Sequence, residues 1–269
     1  MPFLFFLITI LSAGLVAGEV KHELISGRLG KVEIFWEKPA GAGPFPAVIF
    51  VHGHQGGEKK GASIYTKSDL FSRTVGENRV AIAVSQSGYG SSTGKPDNCG
   101  IYSQTALKEA IAFGRKQKFV DPKKIIILGY SMGASLSAII ASQDYKLAGA
   151  VLIAGIYDQE DALLKIGFQS FSNPGMKSLY DDLGQEIGSE KDRFIIRSAL
   201  YHAEKIKVPV LILTGGGDQI ATVDQSIRLH EKIKASGGNS KLLIFPFSGH
   251  YIHPLLSWLE ISKFMNQHL

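Results

Sequence analysis

Short, unbroken apolar runs alternate along this chain with longer stretches whose apolar residues recur at helical spacing. Ala47–Val51, Val80–Val84, Ile125–Leu128, Leu147–Ile156 and Val208–Thr214 are rich in β-branched residues and bounded by turn formers, which predicts buried strands. Lys31–Trp36 alternates polar with apolar and predicts an early strand; Lys241–Phe247 predicts the last one. Between them, Ser63–Val75 predicts a helix. Thr105–Lys118 predicts another, with Ala106, Leu107, Ala110, Ile111 and Phe113 on one face, until Val120-Asp121-Pro122 stops it. Ala134–Ala141 forms a helix of small residues, and Ser257–Met265 closes the chain with Trp258, Leu259, Ile261 and Phe264 at apolar positions. Strands alternating with helices imply the α/β class, a mostly parallel central sheet covered on both faces.

One region departs from that alternation. Asp158 to Lys207 carries the helical runs Asp161–Phe168, Met176–Leu183 and Asp192–Tyr201 and no convincing strand. A stretch that long between two sheet strands predicts a helical cap, residues 158–207, lying over the strand ends as a lid or pocket wall. Phe168, Phe171, Met176 and Tyr180 suit an apolar wall, and equally suit ordinary helix packing.

Composition narrows the class. A chain of 269 residues, 45% hydrophobic and 20% charged, holds one large domain, placed at 19–269, with a sizeable core. The formal charge of +5 comes from dispersed lysines, without an arginine-rich stripe or aromatic platform, so no nucleic-acid partner is expected. Cys99 is the single cysteine, which excludes an intrachain disulfide and a thiolate metal cluster. Residues 1–18 are apolar from Phe3 onward, too short for a span of about 20 residues, and end in Val16-Ala17-Gly18. They predict a secretory signal peptide, hence a secreted or periplasmic protein without a stable membrane span after processing; an uncleaved anchor is the alternative.

The chemistry starts at Gly129-Tyr130-Ser131-Met132-Gly133, between a predicted strand and a predicted helix. In that context G-x-S-x-G is a turn so tight that the serine is strained and its hydroxyl projects from the sheet edge. A serine hydroxyl needs a base to take its proton. His250, on the loop past the last strand, is that candidate, with His253 as runner-up because Pro254 directly begins the closing helix. The base needs a carboxylate to fix its tautomer. Asp218, reached from a strand through Gly215-Gly216-Gly217, is chosen over Asp224 and Asp158. The backbone N–H groups of Met132 and His54 are the expected oxyanion donors, with Gln55 an alternative to His54. Because His54 would act through its main chain, its side chain is expected to be free to lie in solvent. His52 is expected to pack in the loop, and Cys99 to be a buried bystander.

These residues resemble the α/β-hydrolase superfamily in its dienelactone-hydrolase and prolyl-oligopeptidase-like branch. The matching features, over about residues 30 to 265, are His52-Gly53, Ser87-Gly88-Tyr89-Gly90-Ser91-Ser92, Gly129–Gly133, Asp218 and His250, in the order Ser, Asp, His. The resemblance implies an eight-stranded, mostly parallel sheet and acyl-enzyme hydrolysis with no cofactor and no metal. The loop reads His-Gly-His-Gln-Gly-Gly where many lipases carry His-Gly-Gly-Gly, which leaves the second oxyanion donor open. The expected substrate is a small-molecule ester or short acyl compound, with a short peptide, a dienelactone or a thioester as alternatives. Peptides rank second because these 269 residues carry no large N-terminal domain such as resembling oligopeptidases use to restrict substrates.

Other classes fit less well. His52-x-His54 with His250-x-x-His253 offers four imidazoles, but Gln55 and Gly56 stand where a zinc loop needs an acid. A phosphate loop at Gly90–Lys95 is one residue short, and Pro96 replaces its hydroxyl residue. A non-catalytic binding protein on the same fold is the remaining alternative.

Overall fold

Register between the apolar runs builds the sheet from its centre outward. In a computed structural model that describes residues 18–143, 146–187 and 191–269, β3 (Phe45–Val51) lies between β4 (Val80–Val84) and β5 (Val120–Tyr130). Ile49 stands opposite Ile82 on one side and Ile127 on the other, all three fully buried. Beyond β5 follow β6 (Gly149–Ile153), β7 (Val210–Gly215) and β8 (Ser240–Phe245), each parallel to its neighbour. On the other side β2 (Gly30–Glu37) and β1 (Lys21–Gly27) close the sheet as an antiparallel hairpin, giving the order β1-β2-β4-β3-β5-β6-β7-β8. The protein is thus an α/β structure with an eight-stranded, mostly parallel sheet. The expected signal segment lies outside the described residues apart from Gly18.

Two apolar layers sandwich the sheet. On one face α2 (Ile101–Lys116), α3 (Met132–Ala141) and α7 (Val223–Ala235) bury Leu107, Ile111, Leu136, Leu229 and Ile233. On the other, α1 (Asp69–Gly76) and α8 (Pro254–His268) bury Phe71, Val75, Ile261 and Phe264. Burial on both faces explains why every residue of β4 and β6 is apolar or glycine and inaccessible. Among the described residues no helix is long and apolar enough to cross a membrane.

Three details differ from expectation. Strand β1 was not foreseen: it is an edge strand with no buried residue, and Lys21-His22-Glu23 carries no apolar signal. The helix expected over Ser63–Val75 is two pieces, a 3-10 turn at Gly61–Tyr65 and then α1, because Ser68 caps a fresh start by accepting the Phe71 N–H at 3.3 Å. Helix α2 begins at Ile101 rather than Thr105, since Asp97 accepts the Tyr102 N–H at 2.8 Å and the Ser103 N–H at 3.3 Å.

Between β6 and β7 the chain forms α4 (Gln159–Ser170), α5 (Pro174–Ile187) and α6 (Lys191–Arg197) with no strand among the described residues. These helices have a small core of their own, Ile166, Leu183, Ile187 and Phe194, joined by Met176 and by Ile220 from the loop after β7.

Candidate active site

Ser131 directly follows β5 and caps α3 with φ +53° and ψ −122°, a strained conformation held by its surroundings. Its own N–H donates to Ile153 O at 2.8 Å, tying the turn to β6. The flanking glycines are required by close approach. A Cβ at Gly129 would stand 2.2 Å from Gly133 O, and one at Gly133 would stand 2.0 Å from Val51 O. The turn is therefore packed against the end of β3, where Gly53 would bring a Cβ within 3.0 Å of the Ser131 Cβ.

The structure brings Ser131, His250 and Asp218 together. His250 Nε2 lies 2.9 Å from Ser131 Oγ, and its Nδ1 lies 2.8 Å from Asp218 Oδ2. The other carboxylate oxygen, Oδ1, accepts the N–H groups of Ile220 and Ala221, each at 2.9 Å. The Asp218 side chain is fully buried, while the imidazole is partly open to solvent. Since Asp218 Oδ2 can only accept as a carboxylate, Nδ1 carries the ring proton and Nε2 is left to accept from the serine hydroxyl. All three residues, with the His52-Gly53 turn, sit at the carboxyl ends of parallel strands, where open α/β sheets gather their polar groups.

The rival residues have other partners. His253 is the N-cap of α8 and accepts the Leu255 N–H at 3.2 Å. Asp224 pairs with Lys165 of α4 at 3.2 Å, and Asp158 caps α4 and pairs with Arg228 at 2.7 Å. His52 is fully buried: its Nδ1 donates to Gly53 O at 2.8 Å and its Nε2 accepts the Gln86 N–H at 3.1 Å, while burial drives its pKa down to about 4. Cys99 is fully buried, donates to Met132 O at 3.3 Å, and has its thiol pushed well up by burial. Among the described residues no group of three or more His, Cys, Asp or Glu is placed to hold a metal ion.

Of the oxyanion candidates, one is next to the serine in the chain and the other is on the loop after β3. Met132 is the first residue of α3, so its N–H belongs to the amides that a helix start leaves free. His54 follows the glycine that touches the serine turn. Its side chain corrects the expectation of solvent exposure: it is only 13% exposed and faces Asp182 and Glu186 of α5. The carboxylates do not neighbour it in sequence, and nothing in the pattern of α5 marks them out. Tyr130 was also missed, although it stands beside the serine in the motif. Its ring centroid is 5.5 Å from that of His250, its hydroxyl donates to His250 O at 3.2 Å, and burial with the nearby Asp218 raises it to about 12.

The residues expected to form an apolar wall divide. Met176 packs into the small core, whereas Phe168 and Phe171 are exposed and line, with Tyr180, Leu163 and Phe194, an open groove of about 860 Å³. None of Ser131, Asp218 and His250 lines that groove.

Comparison with known proteins follows the same line. A model of the prolyl oligopeptidase family matches residues 98–264. Esterase EstD of Thermotoga maritima is 27% identical, over 86% of this chain and 60% of its own length. Acylamino-acid-releasing enzyme 1 of Oryza sativa subsp. japonica is 24% identical, over 83% of this chain and 30% of its own. Among solved structures, a Pyrococcus horikoshii acylaminoacyl peptidase superposes with a TM-score of 0.77 at 19% identity, covering 94% of this chain and 42% of that one; the likeness is one of fold. The chain spans 25%, 60% and 30% of the lengths of the first curated relatives it matches.

Proposed function

Because the chain belongs to the prolyl oligopeptidase family of serine hydrolases, we propose that it cleaves carboxylic esters through Ser131, His250 and Asp218. The observation that carries this reading is the unbroken line of short contacts from Asp218 Oδ2 through both ring nitrogens of His250 to Ser131 Oγ. The serine oxygen attacks the ester carbonyl while its proton passes to His250 Nε2. The resulting oxyanion is held by the N–H groups of Met132 and His54, and Asp218 stabilises the imidazolium. His250 then returns the proton to the departing alkoxide, leaving an acyl group on Ser131. Water, deprotonated by the same imidazole, attacks that acyl group and releases the carboxylic acid and the free serine. No electron or group is needed beyond substrate and water, so no cofactor enters.

Esters are favoured over amides because the match spans 60% of the length of EstD against 30% of the acylamino-acid-releasing enzyme, and because an alkoxide leaves more readily than an amine. The wider relatives make acylated peptides the competing substrate class. A panel of p-nitrophenyl esters of increasing chain length, run beside acylaminoacyl anilides, decides between them. Ester turnover that disappears in Ser131→Ala supports the proposal; anilide turnover with no ester turnover replaces it with a peptidase. Absence of both, together with no labelling of Ser131 by an organophosphonate, removes the hydrolase reading. Residues 1–18 are proposed as a secretory signal, to be checked by N-terminal sequencing of the exported protein.

A further inference from the structure

The His54 ring is engaged through both nitrogens. Nδ1 accepts the Gly56 N–H at 3.3 Å, which places the proton of the neutral ring on Nε2. That Nε2 faces Asp182 Oδ2 at 3.7 Å and Glu186 Oε1 at 3.8 Å. The two carboxylates stand four residues apart on α5 and so share one face of the helix. The separations exceed a direct hydrogen bond, so the attraction is electrostatic, and it acts where the imidazole and Glu186 are 13% and 10% exposed. Glu186 Oε2 is buried without a hydrogen-bond partner in the protein. Burying that oxygen unpaired is costly, even though the carboxyl as a whole accepts the Asn98 N–H and feels Lys59.

We infer that Asp182 and Glu186 are positioning residues: acting through the His54 ring, they hold the loop after β3 beside Ser131, so that the cap sets the geometry of the oxyanion site. The inference rests on the esterase reading. Gly53 is the link: a Cβ there would stand 3.0 Å from the Ser131 Cβ and 3.1 Å from Tyr130 O, so the loop runs close along the serine turn and a shift toward it disturbs the serine. A displacement of about 1 Å in such a site costs up to about 100-fold in rate. It leaves ground-state binding of a small ester largely untouched, so the loss falls on kcat and not on KM.

The charge on Glu186 makes the device responsive to pH. Burial, and then Asp182, push this carboxyl up to about 7, against the pull of Lys59 and of the Asn98 N–H. Asp97 adds to the upward push. The other groups around it are Tyr89, Cys99 and Arg197, with His52 behind His54. Above about pH 7 Glu186 is charged and attracts the Nε2–H; below that it is neutral and the attraction fades. Glu186→Gln imitates the neutral form at every pH. Dividing its kcat by that of the unmodified protein cancels every pH dependence that the two share.

The test is steady-state hydrolysis of p-nitrophenyl acetate by the full chain carrying Glu186→Gln, Asp182→Asn, both, or Glu186→Asp. At about pH 8 the double variant should lose about ten-fold in kcat with KM within about two-fold, and Glu186→Asp should recover part of it. The kcat ratio for Glu186→Gln should return to about one near pH 6. A ratio independent of pH, or a loss confined to KM, overturns the inference. Should the double variant fail to fold, nitrogen NMR of the unmodified protein takes its place. A proton on His54 Nε2 whose shift follows a titration near pH 7 supports the inference, and a ring insensitive in that range overturns it. Ser131 labelled by an organophosphonate while the variants turn over normally removes this inference alone; an unlabelled, inactive unmodified protein removes the esterase reading with it.

Discussion

Gly215, the last residue of β7, lies directly against Gly249, so that a Cβ at 215 would stand 2.1 Å from the Gly249 carbonyl oxygen and 2.5 Å from that of Ser248. This contact docks the Asp218 loop on the His250 loop, and the Gly217 N–H seals it by donating to Ser248 O at 3.0 Å. A methyl group here meets the backbone of Ser248 and Gly249 and has no flexible side chain to displace. Gly215→Ala is expected to cost about 1–3 kcal/mol of stability through overpacking. It should also lower kcat by up to about 100-fold by parting the two loops. Thermal unfolding and ester turnover of the same preparation check both; unchanged turnover would mean that the loops tolerate separation.

The two nearby histidines have different partners and should respond differently. His250→Ala removes the base and is expected to abolish turnover almost as fully as Ser131→Ala, by up to about 10⁶-fold in kcat. His253→Ala removes only the acceptor of the Leu255 N–H at the start of α8 and should cost no more than about 1 kcal/mol, with kcat unchanged. Comparison of the three variants in one ester assay assigns the base; a dead His253→Ala beside an active His250→Ala would reverse the assignment.

The aspartates separate in the same way. An asparagine at 218 keeps the Ile220 and Ala221 N–H bonds by turning its oxygen toward them, which presents its NH₂ to His250 Nδ1. The ring must then accept through Nδ1 and carry its proton on Nε2, facing the serine, so kcat should fall by about 10⁴-fold with the fold intact. Asp224→Asn weakens only a half-exposed pair with Lys165, a change worth less than about 1 kcal/mol, and should leave kcat alone. Circular dichroism together with turnover distinguishes the two results.

The groups that converge were legible because each hangs on a strand end that the apolar pattern marks. Ser131 follows Ile125–Leu128, Asp218 follows Val210–Thr214, and His250 follows the run ending at Phe245. Parallel pairing of those strands leaves the three residues at one edge. What the pattern could not convey was contact made by the second side chain of a loop or by one of the helices between β6 and β7. The approach of Asp182 and Glu186 to His54 depends on how α5 lies over the loop after β3, and no local period encodes that docking. Strand β1 was hidden for a different reason: at the sheet edge it has no fully buried residue and only Ile25 packs partly against the core, too little to make an apolar run.

Two buried titrating groups should govern stability in mild acid, and they oppose each other. His52 has its pKa lowered from 6.5 to about 4 by burial, so between those values the unfolded chain binds a proton that the folded one refuses. Its contribution is complete above about pH 6.5 and is lost as the pH falls toward 4, with a ceiling of about 3 kcal/mol. Glu186 has its pKa raised from 4.5 to about 7, mainly by burial, so the folded chain keeps a proton that the unfolded chain releases. Its contribution is complete below pH 4.5 and is lost as the pH rises toward 7, by a similar amount. In the unmodified protein the two slopes partly cancel. Glu186→Gln leaves the His52 slope alone, so this variant should lose stability more steeply than the unmodified protein as the pH falls from about 7 to about 4.5. His52→Gln leaves the Glu186 slope alone and should lose less, or gain. Urea unfolding midpoints at three pH values in that range give the slopes, and three parallel lines would show that neither buried group sets them.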